Sequence, residues 1–431
     1  MKTQQTRYQD AVNYLYSLQK YGIKFGLSKT ENLLRAFGNP HQGKRYVHIA
    51  GTNGKGSVSA FISSILEEAG LKVGFYSSPH LVRFTERFRI NGEEMSREAA
   101  ASLIEEVRRA FAPESLPTFF EAATAMALIY FAREQTDLDI MEVGMGGRLD
   151  ATNVIMPLVC GITNISLEHQ EYLGKGLVNI AREKAGIIKE GVDVITAAQQ
   201  PLVVKTLEAI AAERRAPFWR VGKHIRYRTT PAGLDYRGLK LRLRGLRLGL
   251  QGNMQARNAA LALGIIERLA DKGIHVSEEH IRNGLAKTVW IGRMQVVGRH
   301  PTILLDGAHN PAALQALARS IRAGFTYGRL ILVMGIMADK AIAEMMRIIV
   351  PLADYLICTR PVYCRAADPE VLMREAAPPG RPGEIIPLLS DALTRAREVA
   401  GPEDLIVVCG SLFTVGEALT CIDPETYRPD D

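Results

Sequence analysis

The sequence HIAGTNGKGS (His48–Ser57) begins inside a short apolar run, Tyr46–Ala50. It is followed by apolar residues that recur at helical spacing and predict a helix ending at Gly70. A glycine-rich turn between a buried strand and a helix presents backbone N–H groups and the positive end of the helix dipole to one point. Phosphate groups bind at such points. The stretch therefore predicts a phosphate-binding loop over residues 51–57.

The side chains of this loop suit the same chemistry. Lys55 places a positive charge where the terminal phosphates of a nucleotide bind, and Ser57 offers a hydroxyl to Mg²⁺. The loop departs from the most common phosphate-loop pattern, because Gly56 separates the lysine from the serine. A glycine-rich turn with a surface lysine is the simpler alternative. We predict contacts with the phosphates of a ligand from Gly51, Thr52, Asn53, Gly54, Lys55, Gly56 and Ser57.

Strand-like and helix-like runs alternate on both sides of the loop. Asn91-Gly92 is a hairpin signal, and Ser96 is a suitable N-cap for a helix that ends near Ala110. This alternation predicts an α/β fold with a mostly parallel sheet covered on both faces. The other predicted strands are Val73–Tyr76, Leu138–Val143, Leu158–Thr163 and Val192–Ala197, and the other helices are Phe119–Arg133 and Val178–Ile188.

Two later segments complete the predicted architecture. Residues 224–251 alternate basic and apolar residues around a turn, which predicts a small antiparallel sheet with a basic outer face. A second alternating block begins near residue 300, with strands at Thr302–Leu305, Leu330–Val333, Tyr355–Cys358 and Leu405–Val408 and helices at Pro311–Ala323, Asp339–Val350, Pro369–Ala376 and Ser390–Val399. We expect an N-terminal phosphate-loop domain (1–292) and a C-terminal Rossmann-like domain (293–431), with their boundary in segment 289–300.

Composition excludes several classes of protein. The chain has 431 residues, of which 47% are hydrophobic, so it is not a disordered chain. It has no apolar run of the about 18 residues that a membrane span needs, and its first residues lack the apolar core of a secretory signal. The five cysteines form no CxxC pair, which argues against a disulfide framework or a zinc site and favours a cytoplasmic location. The net charge of +7 suits simple solubility, or else an anionic partner.

Polar residues come directly after two of the predicted strands. Glu142 ends the run LDIME, on the sheet edge that also carries the phosphate loop, and its carboxylate can hold Mg²⁺. Asp139 is the competing acid, but it lies inside the strand. His169 comes after the next strand, where it is either a metal ligand or a structural histidine. Lys184 lies on a predicted helix, and spacing alone says no more about it.

Eight motifs occur in order from residue 51 to residue 418 and together resemble one family. They are GTNGKGS, EVGMGGRLDATN, ITNISLEH followed by EYLG, REKAGIIK, GNMQARNAA, WIGR, LDGAHNP and GSLFTVGEA. This series is similar to folylpolyglutamate synthases and to bifunctional dihydrofolate synthase/folylpolyglutamate synthases, members of the Mur ligase superfamily. The segment GIKFGLSKTENLL (22–34) also resembles the N-terminal substrate segment of that family.

The resemblance implies an ATP-dependent ligase that joins L-glutamate to dihydropteroate or a reduced folate through an acyl phosphate. It implies that Lys55 and Ser57 contact phosphates and Mg²⁺, that Glu142 binds this ion and that His169 binds a second Mg²⁺. Lys184 would be carbamylated and become a metal ligand. Arg293 and His309 would act on the phosphates, Asp306 would approach the ribose and Asn258 the adenine. The implied pterin contacts are Phe120 and Asp150.

The sequence departs from the family pattern at three positions. Glu168 stands where aspartate is usual, Ile291 where proline is common, and Met254 where histidine often precedes the glutamine. None of these changes removes an implied ligand. We also expect a monomer that binds neither nucleic acid nor membranes.

Three other functions remain as alternatives. A cell-wall Mur ligase shares the loop and the mechanism, but such enzymes usually carry a further N-terminal domain, for which we expect no room before residue 48. A phosphate-loop ATPase would hydrolyse ATP without a glutamate requirement. A nucleic-acid-binding module would use the basic segment 224–251, although only Tyr227 and Tyr236 offer rings for base stacking there.

Overall fold

The computed structural model describes residues 4–22, 26–111, 116–376 and 382–430. Within them, two large sheets form two lobes. The N-terminal lobe is built on an eight-stranded sheet of order β4-β3-β2-β5-β1-β6-β7-β8. Its strands are β1 (Tyr46–Ala50), β2 (Val73–Tyr76), β3 (Phe88–Ile90), β4 (Glu93–Glu94), β5 (Leu138–Glu142), β6 (Val159–Ile162), β7 (Asp193–Thr196) and β8 (Phe218–Arg220).

This sheet is parallel except at one edge, where the predicted Asn91-Gly92 hairpin joins β3 to β4. Helices cover both of its faces. One face carries α3, α9 and α10, and the other carries α5 with α1 and α4 at one end and α7 and α8 at the other. The helices of the lobe are α1 (Gln4–Ser17), α2 (Ser28–Ala36), α3 (Lys55–Glu68), α4 (Arg97–Arg109), α5 (Phe119–Arg133), α6 (Gln170–Leu173), α7 (Leu177–Ala185), α8 (Pro201–Glu213), α9 (Gln255–Ala270) and α10 (Glu278–Lys287).

The basic segment forms the predicted small antiparallel sheet. Its strands are β9 (Arg226–Thr230), β10 (Gly233–Arg237) and β11 (Arg242–Leu246), in the order β11-β10-β9. Leu234, Leu243 and Leu246 turn inwards and join the core around α3 and α9. Arg226, Arg228, Arg237, Arg242 and Arg244 are exposed, so the basic residues lie on the outer face as predicted.

The C-terminal lobe contains a six-stranded sheet of order β12-β13-β17-β14-β15-β16, parallel except for β12. Its strands are β12 (Gln295–Arg299), β13 (Thr302–Asp306), β14 (Leu330–Met334), β15 (Tyr355–Arg360), β16 (Gly383–Leu388) and β17 (Leu405–Cys409). Its helices are α11 (Pro311–Gly324), α12 (Ile342–Ile349), α13 (Pro369–Glu375), α14 (Leu389–Val399) and α15 (Leu412–Ile422). The predicted α/β class, with a parallel sheet in each half and a small antiparallel sheet, is confirmed.

Several contacts hold the lobes together. A Cβ at Gly416 of α15 would overlap the carbonyl group of Leu81 in the N-terminal lobe, so the two backbones touch there. Residues 423–430, which we call the returning segment, lie against the N-terminal lobe. The carboxylate of Asp430 accepts hydrogen bonds from the Tyr8 hydroxyl (2.9 Å) and the Phe84 amide (2.6 Å). Among the described helices, none combines the length and the apolar character required to cross a bilayer.

Candidate active site

The predicted phosphate loop lies between the end of β1 and the start of α3. Gly51 has φ +143°, and a Cβ there would overlap the side chain of Thr163. Gly54 has φ +91°, and a Cβ there would lie 2.7 Å from Oδ1 of Asn258 on α9. The backbone can take this path only because both positions are glycine. The neighbouring loop after β6 holds it in place, since the Asn53 amide donates to Oδ1 of Asn164 (2.7 Å).

Glu142 lies beside the loop, because β5 pairs directly with β1. Its side chain is buried, and Oε1 lies 3.9 Å from Nζ of Lys55. Burial raises the pKa of Glu142, while the charges of Lys55 and Arg293 oppose this effect. Asp139, three residues earlier, is buried inside the strand and lies 3.9 Å from Lys44. Glu142, and not Asp139, therefore lines the cavity between the lobes.

Lys184 projects from α7 to the underside of the phosphate loop. It is only 5% exposed, and its Nζ donates to the carbonyl oxygen of Gly51 (2.8 Å). Burial, together with the charge of Lys55, lowers the pKa of Lys184 to about 7. The amine is therefore neutral in a large fraction of molecules at neutral pH, unlike a surface lysine.

Glu168 is the centre of a charged cluster between the lobes. Its Oε1 lies 3.3 Å from Nε2 of His309, 3.6 Å from Nζ of Lys340 and 3.8 Å from Nε2 of His169. Burial raises the pKa of Glu168, but His309, His169 and Lys340 outweigh it, and the net pKa is well below the ordinary value. Glu168 thus stays ionised and joins the N-terminal lobe to two residues of the C-terminal lobe.

His169 lies at the rim of the same cluster. Burial lowers the pKa of His169 to about 4, with further lowering from Lys340 and other lysines and an opposing effect of Glu168. The ring is neutral at pH 7, the protonation state in which imidazole binds metal ions. The structure does not decide between the two interpretations of this residue, but its protonation state suits a ligand.

The C-terminal lobe contributes Arg293, Asp306 and His309. Asp306 is buried and accepts hydrogen bonds from the amides of Met294 and Ala308, both at 2.9 Å. It thereby holds the turn that carries His309, whose Nδ1 lies 2.8 Å from the carbonyl oxygen of Gly307. The next residue along the chain, Asn310, forms a reciprocal amide pair with Asn53 of the N-terminal lobe, at 2.9 and 3.1 Å.

One cavity of about 510 Å³ joins these groups. It lies between the lobes and is large enough for a nucleotide-sized ligand. The predicted residues that line it are Gly51, Thr52, Asn53, Gly54, Lys55, Gly56, Ser57, Glu142, His169, Lys184, Asn258, Arg293, Asp306 and His309. The structure therefore brings the predicted nucleotide and metal residues together.

The two predicted pterin residues do not line this cavity. Phe120, at the start of α5, packs so closely on Gly144 that a Cβ there would overlap its ring. Asp150 is 7% exposed, and its carboxylate accepts from the Met145 amide and from the amide and hydroxyl of Thr152. Both residues thus contact the 144–145 loop, which itself forms a wall of the cavity. Residues 23–25 of the predicted substrate segment 22–34 lie outside the described residues.

The metal-binding side chains at the cavity suit a Mg²⁺ ion that also binds the nucleotide. They do not form a site that would hold a metal ion by protein side chains alone. In the described ranges no three His, Cys, Asp or Glu side chains converge as a cage. The cavity offers the carboxylate of Glu142, the hydroxyl of Ser57 and the ring of His169. Mg²⁺ usually takes one or two carboxylates and completes its shell with phosphate oxygens and water. The residues present fit that ion next to a nucleotide.

Sequence reasoning missed several residues at the site. Lys340 carried no signal, because only the packing of the lobes brings its loop to Glu168. Asn310 belongs to the quoted motif LDGAHNP, and its pairing with Asn53 was not foreseen. The remaining unpredicted residues of the cavity wall include Asn253, Gln255, Arg257, Gln315 and Arg319. Asn253, Gln255 and Arg257 belong to the motif GNMQARNAA, in which only Asn258 was given a role.

Comparison with known proteins supports the resemblance across the chain. Residues 49–266 match the Mur ligase middle domain, and residues 292–412 match the Mur ligase glutamate ligase domain. A probable bifunctional folylpolyglutamate synthase/dihydropteroate synthase of Halobacterium salinarum is 39% identical over 96% of this chain. The chain spans 51% of that relative, about half its length.

Two solved structures match over nearly their whole length. Escherichia coli FolC in complex with DHPP and ADP has a TM-score of 0.89 and 35% identity, covering 96% of this chain and 98% of its own. The bifunctional folylpolyglutamate synthase/dihydrofolate synthase of Yersinia pestis, complexed with AMPPNP and Mn ion, has a TM-score of 0.84 and 32% identity, covering 95% and 97%. The chain therefore belongs to the folylpolyglutamate synthase/dihydrofolate synthase family of the Mur ligase superfamily.

Proposed function

We propose that the protein is an ATP-dependent ligase that joins L-glutamate to the carboxylate of dihydropteroate, of reduced folates, or of both. The observation that carries this proposal is the cavity of about 510 Å³ in which a phosphate loop, a buried carboxylate and residues of a second lobe meet. The solved relatives hold ADP with DHPP, or AMPPNP with a manganese ion, which supports a nucleotide, a folate substrate and a divalent metal as ligands of this fold.

The nucleotide is proposed to bind with its phosphates on residues 51–57 and its base towards Asn258. Gln255, which accepts a hydrogen bond from the Asn258 side-chain amide (2.9 Å), also reaches Oγ of Ser57 (3.4 Å), so α9 links the base end to the phosphate end. Arg293 and Asp306 would contact the nucleotide from the C-terminal lobe. We propose that the domains are residues 1–292 and 293–431 and that they close on the nucleotide through segment 289–300.

Two Mg²⁺ ions are proposed, one near Ser57 and Glu142 and one near His169 and the carbamate of Lys184. Bound Mg²⁺ would neutralise the phosphates and the charge that develops on phosphoryl transfer. The burial of Glu142 supports this assignment, because an ionised carboxylate in that position needs a cation to offset its desolvation.

Ser57→Ala is expected to raise the Mg²⁺ concentration needed for half-maximal activity about tenfold, because it removes one oxygen near the phosphates. Titration of activity with Mg²⁺ at saturating ATP measures this shift. Ser59→Ala is a matched control, since Ser59 is also buried on α3 but lies outside the cavity wall. An unchanged Mg²⁺ requirement in Ser57→Ala would remove this residue from the metal site.

The reaction needs two bond exchanges. A carboxylate oxygen of the pterin substrate attacks the γ-phosphorus, the bond to ADP breaks, and an acyl phosphate forms. The amine of glutamate then attacks the acyl carbon, phosphate leaves, and the amine loses a proton. Lys55, Arg293 and His309 would hold the phosphate charges, and closure of the lobes would keep water from the acyl phosphate.

The pterin is proposed to bind beyond the 144–145 loop, with Phe120 packing on the ring and Asp150 accepting an N–H. Phe120→Ala is expected to weaken pterin binding by about tenfold or more, because a buried aromatic contact is lost, while MgATP binding stays nearly unchanged. Ligand titrations monitored by fluorescence measure both constants. Wild-type pterin affinity in this variant would contradict the assignment.

The reaction itself is tested by phosphate release. Purified protein with MgATP and L-glutamate should release phosphate when dihydropteroate or tetrahydrofolate is added, and release should depend on glutamate. Activity with both pterins indicates a bifunctional enzyme, and activity with tetrahydrofolate alone an extending synthase. Release without glutamate would favour a phosphate-loop ATPase, and activity with neither pterin would point to another amino-acid ligase.

We further propose that the enzyme acts as a cytoplasmic monomer on small molecules only, without nucleic-acid or membrane partners. Cys160, Cys358, Cys364, Cys409 and Cys421 carry free thiols, which is typical of proteins in reducing compartments.

A further inference from the structure

A chain of three buried side chains runs from β1 to the loop that carries Asp150. His48, in the middle of β1, has no exposed surface, and its Nε2 lies 2.8 Å from Oγ1 of Thr152. The same Oγ1 lies 2.6 Å from Oδ1 of Asp150. Thr152 is also completely buried, so water does not compete for these hydrogen bonds. We call this chain the His48–Thr152–Asp150 relay.

The direction of each hydrogen bond in the relay is set by the number of hydrogens available. The Thr152 hydroxyl has one hydrogen to donate, and a carboxylate oxygen at 2.6 Å has to receive it. Oγ1 of Thr152 must then accept from Nε2 of His48. The neutral ring therefore carries its hydrogen on Nε2 and leaves Nδ1 bare.

Two further observations agree with this tautomer. Nδ1 of His48 is buried and has no hydrogen-bond partner within the described part of the chain, so no acceptor there requires Nδ1 to carry the hydrogen. Burial, with the nearby charge of Lys189, lowers the pKa of His48 to about 3, so the ring does not gain a second hydrogen at neutral pH. The relay is thus locked in one hydrogen-bonding arrangement.

The Asp150 carboxylate is held by hydrogen bonds from several sides. Oδ1 accepts both the amide (3.0 Å) and the hydroxyl of Thr152, and Oδ2 accepts the amide of Met145 (2.9 Å). The backbone amide of Gly144 also donates to this carboxylate, so Thr152 and the 144–145 loop together fix its orientation. Burial raises the pKa of Asp150, and the Thr152 hydroxyl and the backbone amides that donate to the carboxylate oppose this effect.

We propose that His48 is a positioning residue for the pterin subsite, which orients the Asp150 carboxylate through Thr152 towards an N–H donor of the substrate. This inference rests on the proposed function, because it takes Asp150 as the pterin contact. The substrate that this subsite would bind must have a planar ring with N–H groups on its edge. His48 itself touches no reacting atom.

The first test measures the tautomer without any mutation. In protein labelled with ¹⁵N-histidine, the His48 signals at pH 7 are expected to show a protonated Nε2 and a bare Nδ1. His48→Gln identifies these signals among the nine histidines. A hydrogen on Nδ1, or a positively charged ring, would overturn the relay whatever the substrate is.

The second test measures the effect on binding. Thr152→Val keeps the shape of the side chain but removes the hydroxyl, and it is expected to raise the Kd of dihydropteroate about tenfold while the Kd of MgATP stays unchanged. Thr152→Ser restores the hydroxyl and should restore pterin binding. Thr359→Val is the matched control, because Thr359 is a buried threonine that donates to a carbonyl (3.1 Å) in the C-terminal lobe.

The outcomes separate this inference from the proposed function. Wild-type pterin affinity in Thr152→Val would overturn the relay and leave the ligase proposal intact. If Thr152→Val does not fold, His48→Gln is tested instead. The glutamine side-chain amide can still donate to Thr152, so this variant should keep its pterin affinity. Loss of pterin affinity in His48→Gln would overturn the relay. Wild-type protein that binds MgATP but neither dihydropteroate nor tetrahydrofolate would overturn both proposals.

Discussion

Lys55→Ala is expected to lower kcat about 10²- to 10³-fold, a loss of roughly 3–4 kcal/mol of transition-state stabilisation. Lys55 begins α3, and its Nζ lies 3.3 Å from the Thr52 carbonyl oxygen and 3.9 Å from Glu142. In this position the ammonium group would lie against the transferred phosphate, where negative charge moves during the reaction. Steady-state phosphate release with saturating substrates measures kcat.

The control for this variant is Lys287→Ala. Lys287 is exposed and pairs with Glu68 on the surface (2.7 Å), so its removal tests the loss of one positive charge away from the cavity. It should keep wild-type kcat. The Lys55 variant also removes a cation near the buried Glu142, and its unfolding transition should be recorded to show that it is folded. A folded Lys55→Ala enzyme with normal kcat would exclude this lysine from the chemistry.

Lys184→Arg is expected to lower kcat about 100-fold, because a guanidinium group cannot form a carbamate. Carbamylation joins the neutral amine to carbon dioxide, forms an N–C bond and releases a proton. The product carries one negative charge shared by two oxygens, which suit Mg²⁺, whereas the ammonium group cannot bind a cation. Full activity in Lys184→Arg would refute this proposal.

The pH dependence of the modification has a clear sign. The pKa of Lys184 is lowered to about 7, so the reactive neutral amine increases as pH rises through 7 and is scarce well below it. Protein equilibrated with ¹³C-labelled bicarbonate should therefore show a carbamate signal that grows over this range. Lys189→Arg is the control, since Lys189 is a partly buried lysine outside the cavity wall whose Nζ donates to the Asn153 carbonyl oxygen (2.9 Å). Absence of the signal at pH 8 would count against the carbamate even if Lys184→Arg were inactive.

The parts of the site that sequence reasoning predicted are those that depend on local order. The loop at 51–57 and Glu142 lie at the ends of short, fully buried strands that are mainly apolar, and the carboxyl ends of parallel strands share one edge of the sheet. Lys184 and Arg293 came only from the resemblance, because a lysine on a helix or an arginine in a linker has no distinctive spacing. Lys340 could not be predicted, since its contact with Glu168 exists only after two separately built lobes pack together.

The same distinction holds for the fold. The strands of both large sheets were predicted where they are buried on both faces. β8, β12 and β16 were missed, because each is an edge strand that is only partly covered. The sequence of β12, QVVGR, also lies in the segment interpreted as a boundary. The helix expected at Asp339–Val350 is shorter, Ile342–Ile349, since the preceding loop instead carries Lys340 to Glu168. The relay from His48 also escaped prediction, because His48 and Thr152 are 104 residues apart in sequence.

The returning segment has a consequence for the order in which the chain folds. Tyr8 and Asp430 are separated by 422 positions, so their hydrogen bond closes almost the longest loop that this chain can form. Closing a loop of this length lowers the conformational entropy of the chain before the stabilising contacts at its ends have formed. We therefore expect both sheets to be complete before this bond forms, and the bond to be among the first to open. Exchange of the Phe84 amide hydrogen, which Asp430 holds, would report when the lobes separate in the folded protein.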